Sequence, residues 1–227
     1  MNKQTGAMRA KDILSPLILP LKPTDPGGLA LDWMEDLGVS QLPLVDGKQL
    51  LGLIGAEDIY GLDDPGQPLG NATFSLNAHA LDNHHLYEVL KLAAAERLSV
   101  IPVLDENNHY LGSITRAGII EAMAGFTAAQ QPGGILVLEV SPRQYALSEI
   151  AKIVEANDAK VLSASVTSAP DSKQLEVTIK VSVMDLSSII QTFIRYDYNI
   201  TASFAREGHY DAMLSDRYDS LMKYLET

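Results

Sequence analysis

One stretch of the chain occurs twice. VSQLPLVDGKQLLGLIGAEDI, from Val39, aligns with LSVIPVLDENNHYLGSITRAGI, from Leu98, with a single residue inserted in the turn. Pro43 falls on Pro102, Asp46 on Asp105, Gly52 on Gly112 and Ile59 on Ile119. A repeat constrains the architecture more than any isolated motif, because a unit of this size cannot bury its sheet alone and gains a closed core only by stacking on its neighbour. The two copies should therefore pack as a pseudo-twofold pair.

Each copy reads as a helix, a strand, a tight polar turn, a second strand and a second helix. In the first copy Thr24-Asp25-Pro26 predicts a helix start, with a capping side chain and a proline near the first turn, where its missing N–H costs nothing. Leu29, Trp33 and Leu37 recur every four residues beside Met34, the pattern of a buried stripe. In the second copy Asp82 and Asn83 offer the cap, and Leu86, Val89, Leu90 and Ala93 form the stripe. The short apolar runs Gln41 to Val45 and Val100 to Leu104 predict strands buried on both faces, and DGKQ and DENNH predict hairpin turns. Further strands are expected to open the copies at Ile18 to Pro20 and at Phe74 to Leu76.

These segments resemble the paired cystathionine-beta-synthase-type (CBS) domains. The resemblance is carried by LPLVD and IPVLD, each followed by a glycine-led turn from strand to helix, GLIGAED and GSITRAG. It covers 8–126, with repeat 1 at about 8–62 and repeat 2 at about 72–126. It implies a regulatory site for an adenosine-containing ligand such as AMP, ADP, ATP or S-adenosylmethionine. On that pattern Thr115 would meet phosphate and Arg116 would add a charge-assisted contact. Asp58 would receive the ribose hydroxyls, the backbone at Leu42 and Ile101 would surround the base, and Ile18, Pro20 and Leu76 would complete the walls. Each motif residue also has a plainer reading. Thr115 is equally suited to cap its own helix, and an acid in a first helical turn, such as Asp58, is favoured by the helix dipole with or without a ligand.

The copies are complementary in what they lack. The first has Asp58 but a glycine, Gly55, in the threonine slot; the second has Thr115 but a glycine, Gly118, in the aspartate slot. The expectation is one partial site, or weak binding shared across the cleft.

After QQPGG, Gln130 to Gly134, read as a linker, the pattern changes. ILVLEV from Ile135 is a strand. Leu147, Ile150, Ile153 and Val154 mark a helix ending near Asn157, and KVLSASVTS from Lys160 is a strand. LEVTIKVSV alternates Leu175, Val177, Ile179, Val181 and Val183 as a half-buried strand does. Asp185 can cap a helix carrying Leu186, Ile189, Ile190 and Phe193, and YNITASF from Tyr198 closes the series. The order βαββαβ over 134–205 is ferredoxin-like. Placed after a CBS pair it resembles an ACT domain, a family of amino-acid sensors whose ligand sites usually carry a glycine in the first strand-to-helix loop. Here that loop, SPRQYAL from Ser141, has none. The tail, 206–227, repeats Tyr210, Leu214, Tyr218, Leu221 and Leu225 on one helical face, suited to docking on the body or on a second subunit.

Composition narrows the function. The absence of cysteine among 227 residues removes disulfides, thiolate catalysis and thiolate zinc sites. A net charge of −12, with no cluster of lysine or arginine, disfavours nucleic acid and anionic membranes. No apolar run reaches the roughly 18 to 20 residues that span a bilayer, and the first residues lack the core of a secretory signal, so a cytoplasmic location is expected. His79, His84 and His85 cluster, but the adjacent His84 and His85 would diverge on a helix, so no metal site is expected. No nucleophile elbow, zinc-protease helix or phosphate loop is present.

The sequence thus predicts an α+β chain: a tandem CBS pair, a ferredoxin-like ACT-like domain and a helical tail, in the domain order of the acetoin-utilisation regulatory proteins that it resembles. The expected function is a non-catalytic regulatory homodimer sensing an adenine nucleotide or adenosyl compound, with no required cofactor. The alternatives are a ligand-free scaffold that dimerises and holds a protein partner, or amino-acid sensing by the ACT-like domain.

Overall fold

The computed structural model describes residues 8–62, 64–72, 78–168 and 173–205. The proposed strand at Phe74 to Leu76 and the tail stripe lie outside the described residues. The chain divides into two units, Met1–Ala124 and Gly125–Thr227.

The first unit contains the repeat. Its elements are α1 (Gly27–Leu37), β1 (Gln41–Asp46), β2 (Gln49–Gly55), α2 (Ala56–Tyr60), β3 (Ala80–Leu81), α3 (Leu86–Ala95), β4 (Val100–Leu104), β5 (Tyr110–Thr115) and α4 (Arg116–Phe126). The two hairpins share more than a sequence pattern. In β1–β2, Gln41 pairs with Gly55 and Leu44 with Gly52, followed by a register shift at Leu44/Val45. In β4–β5 the equivalent residues pair in the same way, Val100 with Thr115 and Val103 with Gly112, with the shift at Val103/Leu104. A bulge at the same step in both copies is what a duplicated unit should retain, since bulges are built into the pairing and are not defects.

Sequence reading misplaced the edges of these copies. The strand expected at Ile18 to Pro20 is reduced to a parallel bridge at Leu21, whose N–H donates to the Pro43 carbonyl and whose carbonyl accepts from the Val45 N–H, both at 2.8 Å. In the second copy that role falls to β3, which runs parallel to β4 through Ala80–Val103 and Leu81–Leu104. Asp25 does not cap α1: its carboxylate accepts from the Lys22 N–H at 2.8 Å and closes the preceding turn, and the N-cap is Pro26, without a side-chain bond. The buried line of α1 is Gly27, Ala30 and Met34, while Leu37 is 36% exposed. The stripe is rotated because Gly27 lets the helix approach Ile59 closely; a Cβ there would lie 2.7 Å from an Ile59 methyl. In α3 the cap is His85 and not Asp82 or Asn83: its Nδ1 accepts from the Tyr87 N–H at 3.2 Å, and Glu88 reaches back to the His85 N–H at 2.9 Å.

Two apolar clusters fill the unit, and each borrows from the other copy. Val100 of β4 packs into the cluster of Leu42, Leu44, Ile54 and Ile59. Leu53 of β2 packs into the cluster of Ile101, Val103, Ile114 and Ile119. Neither copy closes its core without the other.

The second unit is β6 (Ile135–Val140), α5 (Leu147–Glu155), β7 (Val161–Thr167), β8 (Leu175–Val181), α6 (Ser187–Arg195) and β9 (Asn199–Phe204). The strands form an antiparallel sheet in the order β7-β8-β6-β9, the ferredoxin-like arrangement. Its core takes Leu136, Leu138 and Val140 from β6, alternate residues of β8, and the inner faces of α5 and α6 around Phe193. Asp185 is not the N-cap of α6, which is Leu186 without a side-chain bond; its carboxylate accepts from the Ser187 N–H at 2.9 Å in the turn that leads into the helix.

The QQPGG stretch is only in part a linker. The Gly134 carbonyl accepts from the Val181 N–H at 2.9 Å, extending the β6 ladder. A Cβ on Gly133 would overlap the Val181 carbonyl oxygen. Gly133→Ala should therefore destabilise the second unit by about 2 kcal/mol or more. Gly28→Ala, in α1 with nothing near its Cβ position, should stabilise the chain by about 0.5 to 1 kcal/mol. Denaturant titration checks both signs, and a neutral Gly133→Ala would refute the close packing.

Candidate functional site

Position Gly55 is where β2 turns into α2, and Thr115 is where β5 turns into α4. These are the two half-motif turns. At the first, Asp58 Oδ2 accepts from the Gly55 N–H at 2.8 Å, so the carboxylate bridges the turn it follows. A cleft of about 380 Å³ opens here, lined by Ser40, Gln41, Leu53, Gly55, Ala56, Glu57 and Asp58. Among the described residues its charged lining is acidic, Glu57 and Asp58.

At the second turn the Thr115 hydroxyl accepts from the Gly118 N–H at 3.0 Å. This is the N-cap geometry, with the oxygen turned to its own helix. Gly118 permits it closely: a Cβ at 118 would lie 3.3 Å from Thr115 Oγ1. The Arg116 guanidinium turns back to the Leu98 carbonyl at 3.2 Å and the Arg97 carbonyl at 3.5 Å, tying α4 to the end of the α3 loop. Both groups assigned to phosphate thus have partners within the fold.

The remaining expected wall residues sit elsewhere. Leu42 and Ile101 are fully buried, in the first and second copies' clusters respectively. Ile18 is buried in the first cluster, Pro20 is half-buried, and neither lines the cleft at Asp58. Leu76 lies outside the described residues.

The residues that sequence reading missed join the two turns. Ser99, 5% exposed, precedes β4. Its hydroxyl donates to Gln41 Oε1 at 2.8 Å and accepts from the Ser40 N–H at 2.8 Å, while its own N–H reaches Gln41 Oε1 at 3.2 Å. Its carbonyl accepts from the Arg116 N–H at 3.0 Å. Because Ser40 and Ser99 are equivalent residues of the two copies, their contact places them at the pseudo-twofold axis. Ser40 and Gln41 line the Asp58 cleft, and Arg116 follows Thr115, so one buried serine links the cleft to the opposite turn. The signal for it was available in the aligned pair VSQLP and LSVIP, whose serines coincide in register.

Of the clustered histidines, His85 caps α3, and His84 Nδ1 accepts from the Leu81 N–H at 3.2 Å. Among the described residues no group of three or more His, Asp or Glu is placed to hold a metal ion. Among them, too, no helix is long and apolar enough to cross a membrane.

Comparison with known proteins places a family on the second copy. Residues 79–125 match the CBS domain family. The first copy, outside that match, has the same hairpin register and the same bulge as the second. Inosine-5'-monophosphate dehydrogenase of Methanocaldococcus jannaschii is 24% identical over 149 residues, which are 65% of this chain and 30% of the dehydrogenase. The chain thus spans less than a third of that relative. Among solved structures, the CBS-pair protein CBSX2 of Arabidopsis thaliana is 20% identical with a TM-score of 0.46, over 54% of this chain and 99% of that one. A CBS domain pair/ACT domain protein of Thermotoga maritima is 16% identical with a TM-score of 0.46, over 52% of this chain and 98% of that one.

Thr115→Ala should remove the helix cap and cost about 1 kcal/mol, while Thr115→Ser should retain it. Ser99→Ala should cost about 1 to 3 kcal/mol by leaving the Ser40 N–H and the Gln41 carbonyl short of partners. Thermal denaturation checks both, and a Ser99→Ala chain as stable as the parent would show that the axis contact is dispensable.

Proposed function

We propose that the chain is a non-catalytic regulatory protein whose CBS pair binds an adenosyl compound in the first-copy cleft. The observation that carries this reading is the cleft beside Asp58, at the position where the family resemblance assigns the ribose hydroxyls. A carboxylate suits a vicinal diol because both hydroxyls can donate to it. The second turn is a structural counterpart, its threonine and arginine engaged in holding α4. The chain acts as a homodimer, and occupancy shifts the population of its arrangements; a ligand with equal affinity for both would shift nothing. The second unit is an ACT-like domain that receives this shift, in the manner of the acetoin-utilisation regulators resembled by the domain order.

The charge of the cleft refines the ligand. Among the described residues Glu57 and Asp58 are the charged groups that line it, so each added phosphate is repelled. S-adenosylmethionine, with its sulfonium cation, and AMP are favoured over ADP and ATP. The alternative, a ligand-free scaffold that holds a protein partner, is favoured by the Thr115 cap and gains ground only if the cleft stays empty.

Thermal-shift titration with S-adenosylmethionine, AMP, ADP and ATP tests the reading. A ligand at a hundred times its Kd should stabilise the fold by about 2.7 kcal/mol, with the response falling from S-adenosylmethionine to ATP. Asp58→Asn, which keeps an oxygen for the Gly55 N–H but loses the charge, should weaken binding about tenfold. Silence with all four ligands at millimolar concentration would select the scaffold.

A further inference from the structure

The second unit carries a cavity of its own. About 350 Å³ opens between α5 and α6, lined by Glu149, Lys152, Ile153, Asn157, Thr192 and Arg195, with Ala156 and Tyr196 at its wall. A space of this size is in the range of small-molecule sites. Its floor is polar and ordered. Thr192 is only 7% exposed, and its hydroxyl donates to the Ser188 carbonyl at 2.9 Å. The same oxygen accepts from Asn157 Nδ2 at 3.2 Å and from Arg195 Nη2 at 3.4 Å. Asn157 is itself fixed by donating to the Ile153 carbonyl at 2.8 Å. The Arg195 guanidinium is therefore drawn back along its own helix over the cavity.

The charges do not balance. Lys152 approaches from α5 and Arg195 from α6, and neither is in an ion pair among the described residues. Arg195 and Lys152 each stand in the last turn of their helix, where a cation is favoured by the dipole. Glu149 lines the same cavity but also an adjoining one with Tyr198. Burial and then the charge of Glu149 push the Tyr198 phenol up. Against the one acid on the same lining, Glu149, the two cations leave the cavity net positive in a chain with a net charge of −12.

We infer that the groove between α5 and α6 binds a small carboxylate, held by Arg195 and Lys152, with its carbon skeleton against Ile153 and Ala156. The planar fork of Arg195 matches two carboxylate oxygens, and Lys152 adds a point charge from the facing helix. The site lies in the second unit, is independent of the first-copy cleft, and survives or fails without reference to adenosyl binding.

The test is titration of the full chain with succinate, acetate and inorganic phosphate, followed by amide NMR shifts. Succinate is expected to shift the resonances of 152–157 and 192–196 saturably, and acetate to shift the same set more weakly. Arg195→Gln and Lys152→Gln, both exposed and absent from the core, should each weaken succinate at least tenfold while leaving the melting temperature within a few degrees. Shifts scattered over the cationic surface, or unchanged saturation in both variants, would overturn the site. Phosphate binding as tightly as succinate would overturn the carboxylate assignment.

Discussion

The first unit depends on the contact between Ser40 and Ser99 across the pseudo-twofold axis. Equivalent residues of two copies touch only at the axis that relates them, and here the contact is a 2.8 Å hydrogen bond from the Ser40 N–H to the Ser99 hydroxyl. Gln41 seals it by giving one oxygen to both the N–H and the hydroxyl of Ser99. At the far end of the hairpins the Tyr110 N–H donates to the Lys48 carbonyl at 2.8 Å, so the copies are fastened at both ends. Between these points Val100 and Leu53 exchange cores. A buried polar contact left half-satisfied would cost more than it contributes; this one leaves the serine hydroxyl both donating and accepting.

The two strand-to-helix turns have the same backbone task and solve it with different side chains. Where the first copy has Gly55, no side chain can cap α2, and Asp58 reaches back to the Gly55 N–H. Where the second has Thr115, its hydroxyl reaches forward to the Gly118 N–H, and an aspartate at 118 would crowd that oxygen. Each turn therefore needs one capping group, and each copy retains a different one. The missing halves of the motifs are then compensated locally.

Much of this was legible in the sequence. β4 falls on the run Val100 to Leu104, β1 exceeds its run by one residue, and the βαββαβ order holds through β9, because period and turn chemistry act over a few residues. The errors arise where tertiary packing outweighs local preference. Gly27 pulls α1 against Ile59 and rotates its buried face away from Leu37. Leu21, and not the apolar residues just before it, meets Leu44, because the pairing partner and not the hydrophobic run decides where a strand forms. His85 takes the cap of α3 although a better capping residue precedes it, since the chain at Met8 pairs there: the Leu86 N–H donates to the Met8 carbonyl at 2.8 Å. Ser99 has no periodicity to mark its role, and its trace in the sequence is the coincidence of the two serines in the aligned repeat.

The asymmetry of the pair has a consequence for coupling. In two identical copies a ligand at either turn would act equally, and occupancy of one would say nothing about the other that symmetry did not already require. Here Gln41 stands where the second copy has Val100, so only the first-copy cleft has a polar side chain fixed to Ser99. A ligand seated beside Asp58 would press on Ser40 and Gln41, and through Ser99 on the backbone of Arg116 at the head of α4. Among the described residues no equivalent hydrogen-bonded chain runs from Val100, whose apolar side chain packs into the first copy's core. Coupling is reciprocal in free energy, yet the physical contacts that transmit it are built on one side of the axis alone.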